Sequence, residues 1–198
     1  MSADLGPVAG QGQFPWVAVA GPSGAGKDTL LVAVAEELAG DSRFHFARRS
    51  ITRPATPGGE AHEPLTQAAF AEAFAAGSFI LQWQAHGLEY GIRHSEAPGD
   101  RVIILSLSRS VLRQAAALRP LCVIEVTAPP ALLAERLLRR RREDAAQIAA
   151  RLVREMPLPE GLDVTRVMNE GSVTQGAERL RAVLEAAATA CVARHFRP

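Results

Sequence analysis

Short apolar runs alternate along the chain with stretches in which apolar residues recur at helical spacing. The short runs are typical of buried parallel strands. They cover residues 15–20, 101–107, 121–127 and 164–168, with a further strand expected at 44–52. The helical stretches cover residues 27–38, 67–76, 110–118, 130–142, 145–155 and 173–190. Residues 79–86 and 89–93 flank a Gly87 turn and predict a hairpin. Strands that alternate with helices in this way predict an α/β protein whose parallel sheet is covered on both faces.

Length and composition indicate one globular domain. The chain has 198 residues, of which 47% are hydrophobic and 22% are charged. We expect a single domain over residues 14–198. Residues 1–13 are rich in glycine and alanine without periodicity, and we expect a disordered leader there. Because they lack a basic segment and an apolar core, they do not resemble a signal peptide.

Charge and cysteine content narrow the classes of function. The net charge of +1 argues against a general nucleic-acid binder. No apolar run reaches the length of a membrane span. Cys122 and Cys191 lie far apart and fit buried thiols in a reducing compartment. We therefore expect a cytoplasmic protein whose partner is a small molecule, and a homodimer stays open.

The basic residues are almost all arginine. The sequence contains 21 arginines and one lysine, Lys27. This bias looks compositional, so the single position that escaped it is the informative one.

Lys27 ends a match to the phosphate-binding pattern G-x-x-x-x-G-K. The residues of the match are Gly21, Pro22, Ser23, Gly24, Ala25, Gly26 and Lys27. A predicted strand precedes them and a predicted helix follows, which is the context the pattern requires. Glycines let successive N–H groups curl around an anion, and the helix adds the positive end of its dipole. Lys27 would reach the phosphates as a mobile point charge.

The loop departs from the usual pattern after the lysine. Asp28 stands where a serine or threonine commonly ligates Mg²⁺, and Thr29 follows. In such enzymes the strand that corresponds to residues 101–107 often carries a metal-binding aspartate at its end. This sequence has Ser106 and Ser108 there instead. We hypothesise that Asp28 supplies the metal-side carboxylate. The alternative is that Asp28 caps the helix.

The length, the loop and a Thr-Arg-Pro segment resemble the guanylate kinase group of P-loop kinases. The segment keeps a first arginine, Arg53, and lacks the second of that group. Leu81 stands where the group has its guanine-contacting glutamate, and Tyr90 keeps part of its Y-Y-G. The resemblance implies a three-layer α/β/α fold with an acceptor-binding insertion at about 49–93 and a lid at about 136–155. The loss of base-reading groups favours an acceptor other than GMP.

Further motifs resemble the ribose 1,5-bisphosphate phosphokinase family of phosphonate degradation. They are Gly-Pro-Ser-Gly-Ala-Gly-Lys-Asp at 21–28, Arg-Ser-Ile-Thr-Arg-Pro at 49–54, Gly-Glu-x-His at 59–62, Trp-x-Ala-x-Gly-Leu-x-Tyr-Gly-Ile at 83–92 and Ser-Arg at 108–109. The resemblance implies phosphoryl transfer from ATP, with Mg²⁺, to the 1-phosphate of ribose 1,5-bisphosphate. The product would be 5-phospho-α-D-ribose 1-diphosphate.

The same resemblance assigns the predicted site residues. Acceptor contacts are expected from Arg49, Arg53, Glu60, His62, Tyr90, Ser108 and Arg109. Lid contacts to the transferring phosphoryl group are expected from Arg136, Arg140 and Arg151. Asn169 is expected at the adenine edge. Arg49 and Arg53 are spaced so that an extended chain would point both to one side.

Three other functions stay open at this point. A guanylate kinase or another nucleoside monophosphate kinase would need base-reading groups that this chain lacks. A non-catalytic scaffold of the same fold usually loses the phosphate loop, which is complete here. An NTPase acting on nucleic acid would need a basic surplus.

Overall fold

Two sheets organise the part of the chain that the structure describes. The structure is a computed structural model, and it describes residues 14–55, 61–139 and 157–195. The larger sheet is parallel and consists of β1 (Trp16–Ala20), β2 (Phe44–Phe46), β7 (Val102–Ser106), β8 (Leu121–Thr127) and β9 (Asp163–Met168), in the spatial order β2-β7-β1-β8-β9. The smaller sheet consists of β3 (Arg49–Ile51), β4 (Glu63–Pro64), β5 (Phe79–Ala85) and β6 (Leu88–Arg93), in the order β4-β3-β6-β5.

Five helices accompany these strands in the described residues. They are α1 (Lys27–Glu37), α2 (Gln67–Ala75), α3 (Leu112–Leu118), α4 (Pro130–Arg139) and α5 (Val173–His195), with 3₁₀ turns at His94–Glu96 and Arg109–Val111. None of the described helices is both long and apolar enough to cross a membrane.

Alternate residues of β1 enter two separate cores. Val17 and Val19 face the side where α1 and α5 pack, in contact with buried leucines of both helices. Trp16, Ala18 and Ala20 face the opposite side, where α3 and the small sheet pack. A strand that is buried on both faces reads as a continuous apolar run, because side chains alternate across the sheet. The predicted layering, with helices on both faces of a parallel sheet, is confirmed.

The small sheet lies on the second of these faces. Its residues Ile51, Leu81 and Trp83 belong to the same core as Trp16. Strand β6 is antiparallel to both β3 and β5, so the predicted hairpin is confirmed. This sheet and α2 are formed by residues of the segment expected to bind the acceptor.

One predicted strand is wrong. Residues 44–52 were expected to form a single strand, but the chain changes sheets in the middle. The N–H of Ala47 makes a last hydrogen bond to the carbonyl of Ile104 in the parallel sheet, and Arg49 already pairs with Ile92 in the small one. Strand β3 is buried throughout although two of its three residues are polar, so the sequence of residues 44–52 does not show where the chain changes sheets.

The predicted ends of the helices differ from the structure more than the predicted ends of the strands do. The last helix continues to His195, five residues beyond the prediction, and α4 is described only as far as Arg139. The helix predicted at 145–155 and the leader at 1–13 lie outside the described residues.

The core on the α1 and α5 side predicts a clear difference between two leucines. Leu180 is fully buried in α5, whereas Leu138 in α4 is 50% exposed. Leu180→Ala leaves a cavity and should lower the free energy of unfolding by about 2–5 kcal/mol. Leu138→Ala, the matched control, should change it by less than about 0.5 kcal/mol. Denaturant unfolding followed by circular dichroism measures both, and equal losses would contradict this assignment of the core.

Candidate active site

The phosphate loop joins β1 to α1 and is built from close backbone approaches. Gly24 and Gly26 have φ values of +87° and +81°, a region that side chains with a Cβ rarely adopt. A Cβ at Gly21 would collide with the carbonyl oxygen of Val126 in β8. The glycines of the sequence pattern are therefore required here by the backbone itself.

Two side chains fix the outer side of this loop. Asn169 donates from Nδ2 to the carbonyl of Ala25 at 2.7 Å. Arg136 donates from Nη1 to the carbonyls of Gly24 and Ala25 at 3.4 Å. In a trans peptide the N–H points opposite to the carbonyl. Holding the carbonyl of Ala25 outward therefore turns the N–H of Gly26 the other way, as an anion site requires.

The first residues of α1 form a charged cluster with the end of β7. Lys27 Nζ donates to Asp28 Oδ1 and, at 2.7 Å, to Ser106 Oγ. Ser106 Oγ in turn lies 3.2 Å from Asp28 Oδ1. Arg49 Nη2 approaches the same carboxylate oxygen at 3.4 Å. One carboxylate thus lies among two cations and a hydroxyl group.

These neighbours keep Asp28 ionised. Burial by itself would raise the pKa of Asp28. The charges of Lys27 and Arg49, with the hydrogen bonds from Lys27 and Ser106, outweigh burial and lower this pKa to about 2. The carboxylate is therefore negative at any pH at which the protein would work.

Arg49 reaches this cluster from the small sheet. It is buried, and its guanidinium lies 5.5 Å from the centre of the Tyr90 ring. Tyr90 stacks on Trp83 at 5.3 Å, and the two are opposite each other in the β5–β6 ladder. A cation over an aromatic face is stabilised by the ring quadrupole, so this stack sets the direction of Arg49.

Other predicted acceptor contacts have partners inside the protein. Strand β3 ends at Ile51, so Arg53 lies in the following loop and the strand argument that paired it with Arg49 does not apply. His62 is buried and donates from Nε2 to the backbone carbonyl of Arg53 at 3.0 Å. Ser108 accepts from the N–H of Ser110 and begins a 3₁₀ turn. His62 and Ser108 thus shape the two loops that carry Arg53 and Arg109.

Two residues that sequence reasoning missed join Arg109. Its Nη2 lies 2.9 Å from Glu125 Oε1, and Arg166 Nε lies 2.8 Å from the other oxygen of that carboxylate. Glu125 interrupts the apolar strand Leu121–Thr127, and a lone acid in such a run was the available signal. Arg166 gave none, because it stands among twenty other arginines.

A cavity opens beside the phosphate loop. Its volume is about 240 Å³, and Gly26, Thr29, Arg136 and Asn169 line it together with the apolar side chain of Val173. An apolar wall with a few convergent polar groups is typical of a site for a small organic ligand. Asn169 and Arg136 line this cavity and also hydrogen-bond to the phosphate loop.

Three of the predicted site residues, Glu60, Arg140 and Arg151, lie outside the described residues.

The residues present fit a magnesium ion bound together with phosphates. Among the described residues, no group of three or more His, Cys, Asp or Glu side chains could by itself bind a metal. Mg²⁺ commonly uses one or two carboxylates and completes its shell with water and substrate phosphates. Asp28 offers such a carboxylate, and Ser106 offers a hydroxyl oxygen beside it.

Several known proteins that are similar to this chain have closely related names. No family model matches this chain. The chain is 47% identical to the ribose 1,5-bisphosphate phosphokinase PhnN of Brucella melitensis over 163 residues, which cover 80% of this chain and 85% of that protein. It is 44% identical to the protein of that name from Methylobacterium radiotolerans, over 86% of this chain and 97% of the relative.

A longer relative and a solved structure extend the comparison. A bifunctional ribose 1,5-bisphosphokinase-thymidine phosphorylase of Azorhizobium caulinodans is 45% identical over 184 residues. They cover 90% of this chain but only 26% of that protein, so the chain spans about a quarter of its length. A guanylate kinase from Anaplasma phagocytophilum superposes with a TM-score of 0.58 at 16% identity, covering 94% of this chain and 97% of that one. This likeness confirms the guanylate-kinase-like fold. With relatives of this similarity over most of its length, the chain belongs to the ribose 1,5-bisphosphate phosphokinase family.

Proposed function

We propose that this protein transfers the γ-phosphoryl group of ATP to the 1-phosphate of ribose 1,5-bisphosphate. The products are ADP and 5-phospho-α-D-ribose 1-diphosphate. Membership of the family supports the substrate, and the cluster of Lys27, Asp28, Arg49 and Ser106 supports the chemistry. The observation that carries the proposal is the meeting of Lys27, from the phosphate loop, with Arg49, from the small sheet, at one carboxylate.

The proposed reaction needs no general base. An oxygen of the 1-phosphate is ionised near neutral pH and attacks the γ-phosphorus directly. The new bond joins that oxygen to phosphorus, and the bond to the bridging oxygen of ADP breaks, so no proton is transferred. The protein then contributes by holding the two phosphates in line and by neutralising charge.

The described side chains divide this work between them. Lys27 follows the transferring phosphoryl group, because an ammonium on a flexible stem can move with it. Arg49 is fixed against Tyr90 and binds the acceptor phosphate through a guanidinium whose donors match phosphate oxygens. Arg136 adds a cation on the side of the nucleotide. Arg140 and Arg151 are proposed to join it as the remaining arginines of the lid.

Asp28 and Ser106 are the residues that would bind Mg²⁺. The ion would supply charge neutralisation at the β- and γ-phosphates of the nucleotide. In the ligand-free protein Asp28 is neutralised by Lys27 and Arg49 instead. The same carboxylate would therefore exchange two protein cations for the ion when the substrates arrive.

The cavity beside Asn169 is proposed to hold the nucleotide. Thr29 and Arg136 lie at its phosphate end with Gly26, and Val173 and Leu30 supply apolar surface for the base. Asn169 is largely committed to the backbone, since its Nδ2 donates to the carbonyl of Ala25. Its contribution to ATP binding would then act in part through the shape of the loop.

The choice of acceptor follows from Leu81. This residue, which stands where guanylate kinases read guanine with a carboxylate, is fully buried in the core of the small sheet. A guanine edge would find no charged partner at this position and would lose its hydrogen bonds with water.

The proposal predicts a strong preference between two acceptors. With ATP and Mg²⁺, ribose 1,5-bisphosphate should be converted with a kcat/KM that exceeds that of GMP by roughly 10⁴-fold or more, because unpaired polar edges are costly. Phosphorus NMR of the products, with the two acceptors in parallel reactions, measures this. A diphosphate signal from GMP and none from the sugar would overturn the proposed substrate.

Lys27 should not tolerate its nearest substitute. Lys27→Arg and Lys27→Ala should each lower kcat by roughly 100- to 1,000-fold or more, since a donor aimed at developing charge is lost or misdirected. Thermal unfolding should show that both variants are folded. A Lys27→Arg enzyme with a nearly unchanged kcat would contradict the assigned role.

Asp28 should control the response to magnesium. Asp28→Ser should raise the Mg²⁺ concentration for half-maximal activity by roughly 10- to 100-fold, because a carboxylate near the ion is lost. Asp100→Ser is the matched control, since Asp100 is an exposed carboxylate paired only with Arg101 in the described contacts. Unchanged kcat and unchanged Mg²⁺ dependence in the Asp28 variant would contradict the metal role. The alternative of helix capping is not what the structure shows, because the N-cap residue of α1 is Gly26 and no side chain among the described residues caps this helix.

A further inference from the structure

Glu125 is a buried carboxylate that has no role in the proposed reaction as described above. Its side chain is only 8% exposed. It accepts hydrogen bonds from two arginines, one on each oxygen: Arg109 at 2.9 Å and Arg166 at 2.8 Å. A carboxylate in an apolar strand is costly unless it is paired and hydrogen-bonded. Its presence therefore calls for a reason beyond packing.

The position of Glu125 is close to the phosphate loop. It lies in register with Ala20 of β1, the last residue before Gly21. Along β8 it alternates with Ile124 and Val126, which face α1 and α5, so it faces the side of the small sheet. The carboxylate is thus placed under the carboxyl edge of the sheet, where open α/β sheets bind their ligands.

Arg109 reaches Glu125 across the strand between them. Arg109 begins the 3₁₀ turn three residues after Ser106, whose hydroxyl contacts Lys27. Strands β7 and β8 flank β1, so this ion pair joins the segment that follows one neighbour of β1 to the other neighbour. The turn itself packs against β5, and Val111 shares a core with Trp83.

We infer that Glu125 is a positioning residue that aims Arg109 at the phosphate of the acceptor that does not react. The inference rests on the proposed function, because only a bisphosphate acceptor has such a second phosphate. The reacting phosphate lies with Lys27 and Arg49, so the other one needs a cation elsewhere in the same cleft. A guanidinium carries five N–H donors and can bind a carboxylate and a phosphate together.

Fixing this arginine in advance also favours binding. A free arginine loses rotamer entropy when it orders around a ligand, and an arginine already paired loses less. The two arginines on Glu125 differ in this respect. The side chain of Arg109 is 14% exposed and that of Arg166 is 73% exposed, so only the first is enclosed by the protein. Arg166 therefore provides a control on the same carboxylate.

Two half-substrates separate the two phosphates in an experiment. Ribose 5-phosphate carries only the phosphate assigned to Arg109, and ribose 1-phosphate carries only the reacting one. Their inhibition constants, measured in competition with ribose 1,5-bisphosphate, report on each end of the acceptor. The variants are Glu125→Gln, Glu125→Asp, Arg109→Gln, the double Glu125→Gln/Arg109→Gln, and the control Arg166→Gln.

We expect Glu125→Gln and Arg109→Gln to raise the inhibition constant of ribose 5-phosphate by roughly 10- to 100-fold, as loss of a charge-assisted hydrogen bond implies. The inhibition constant for ribose 1-phosphate should stay within about twofold in both variants, because this ligand lacks the 5-phosphate. The KM for ATP should also stay within about twofold, because ATP does not use the acceptor subsite. The double variant should resemble Arg109→Gln alone, since Glu125 acts through that arginine. Arg166→Gln should resemble the unmodified protein.

Several outcomes would overturn the inference. They are an unchanged constant for ribose 5-phosphate in Glu125→Gln, an equal rise for both half-substrates, and a rise as large in Arg166→Gln. If Glu125→Gln does not fold, Glu125→Asp keeps the charge but withdraws it from Arg109 and should raise the same constant. An unmodified protein that does not convert ribose 1,5-bisphosphate overturns the proposed function together with this inference. If the unmodified protein converts ribose 1,5-bisphosphate but Glu125→Gln leaves the inhibition constant of ribose 5-phosphate unchanged, only this inference is overturned.

Discussion

The carboxylate of Asp28 is the point on which the site depends. It draws together a lysine from the phosphate loop, an arginine from the small sheet and a serine from the end of β7. Without a negative charge there, Lys27 and Arg49 would repel each other across the place where two phosphates must meet. With it, both cations are held beside that place before any substrate binds, and they are released to the phosphates when the substrates arrive.

The fold places these groups by separating two cores with one strand. Side chains of β1 alternate between the face that packs on α1 and α5 and the face that packs on the small sheet. The first face positions the phosphate loop and the nucleotide cavity, and the second positions Arg49 and Arg109. The groups proposed to contact the reacting phosphates therefore come from two separately packed layers. The backbone of the loop packs directly on β8, where a Cβ at Gly21 would collide with the carbonyl oxygen of Val126.

Patterns that depend on backbone conformation were predictable from the sequence. The phosphate loop, the hairpin at Gly87 and the buried strands each follow from local spacing, and the structure confirms them. What escaped prediction depends on contacts between distant segments. The change of sheet after Ala47 depends on the distant strands that pair with the two pieces, and the local sequence does not contain that information. The roles of His62 and Ser108 in shaping loops could not be separated from ligand contacts, because the same polar side chain serves either purpose. Glu125 was visible as an anomaly in β8, but its partners Arg109 and Arg166 come from elements that only the sheet order brings near.

The division between one lysine and many arginines has a physical basis at this site. Arg49 lies over the ring of Tyr90, and Arg109 is paired with Glu125. A planar guanidinium suits such contacts, because it stacks on aromatic rings and matches the geometry of a carboxylate. The charge that accompanies a phosphoryl group in transit has the opposite requirement. It must leave Asp28 and Ser106 and follow the moving group, which a compact ammonium on a flexible stem can do and a rigid fork cannot. In a protein whose basic positions are otherwise arginine, the retention of lysine at this one place is what a mobile charge would require.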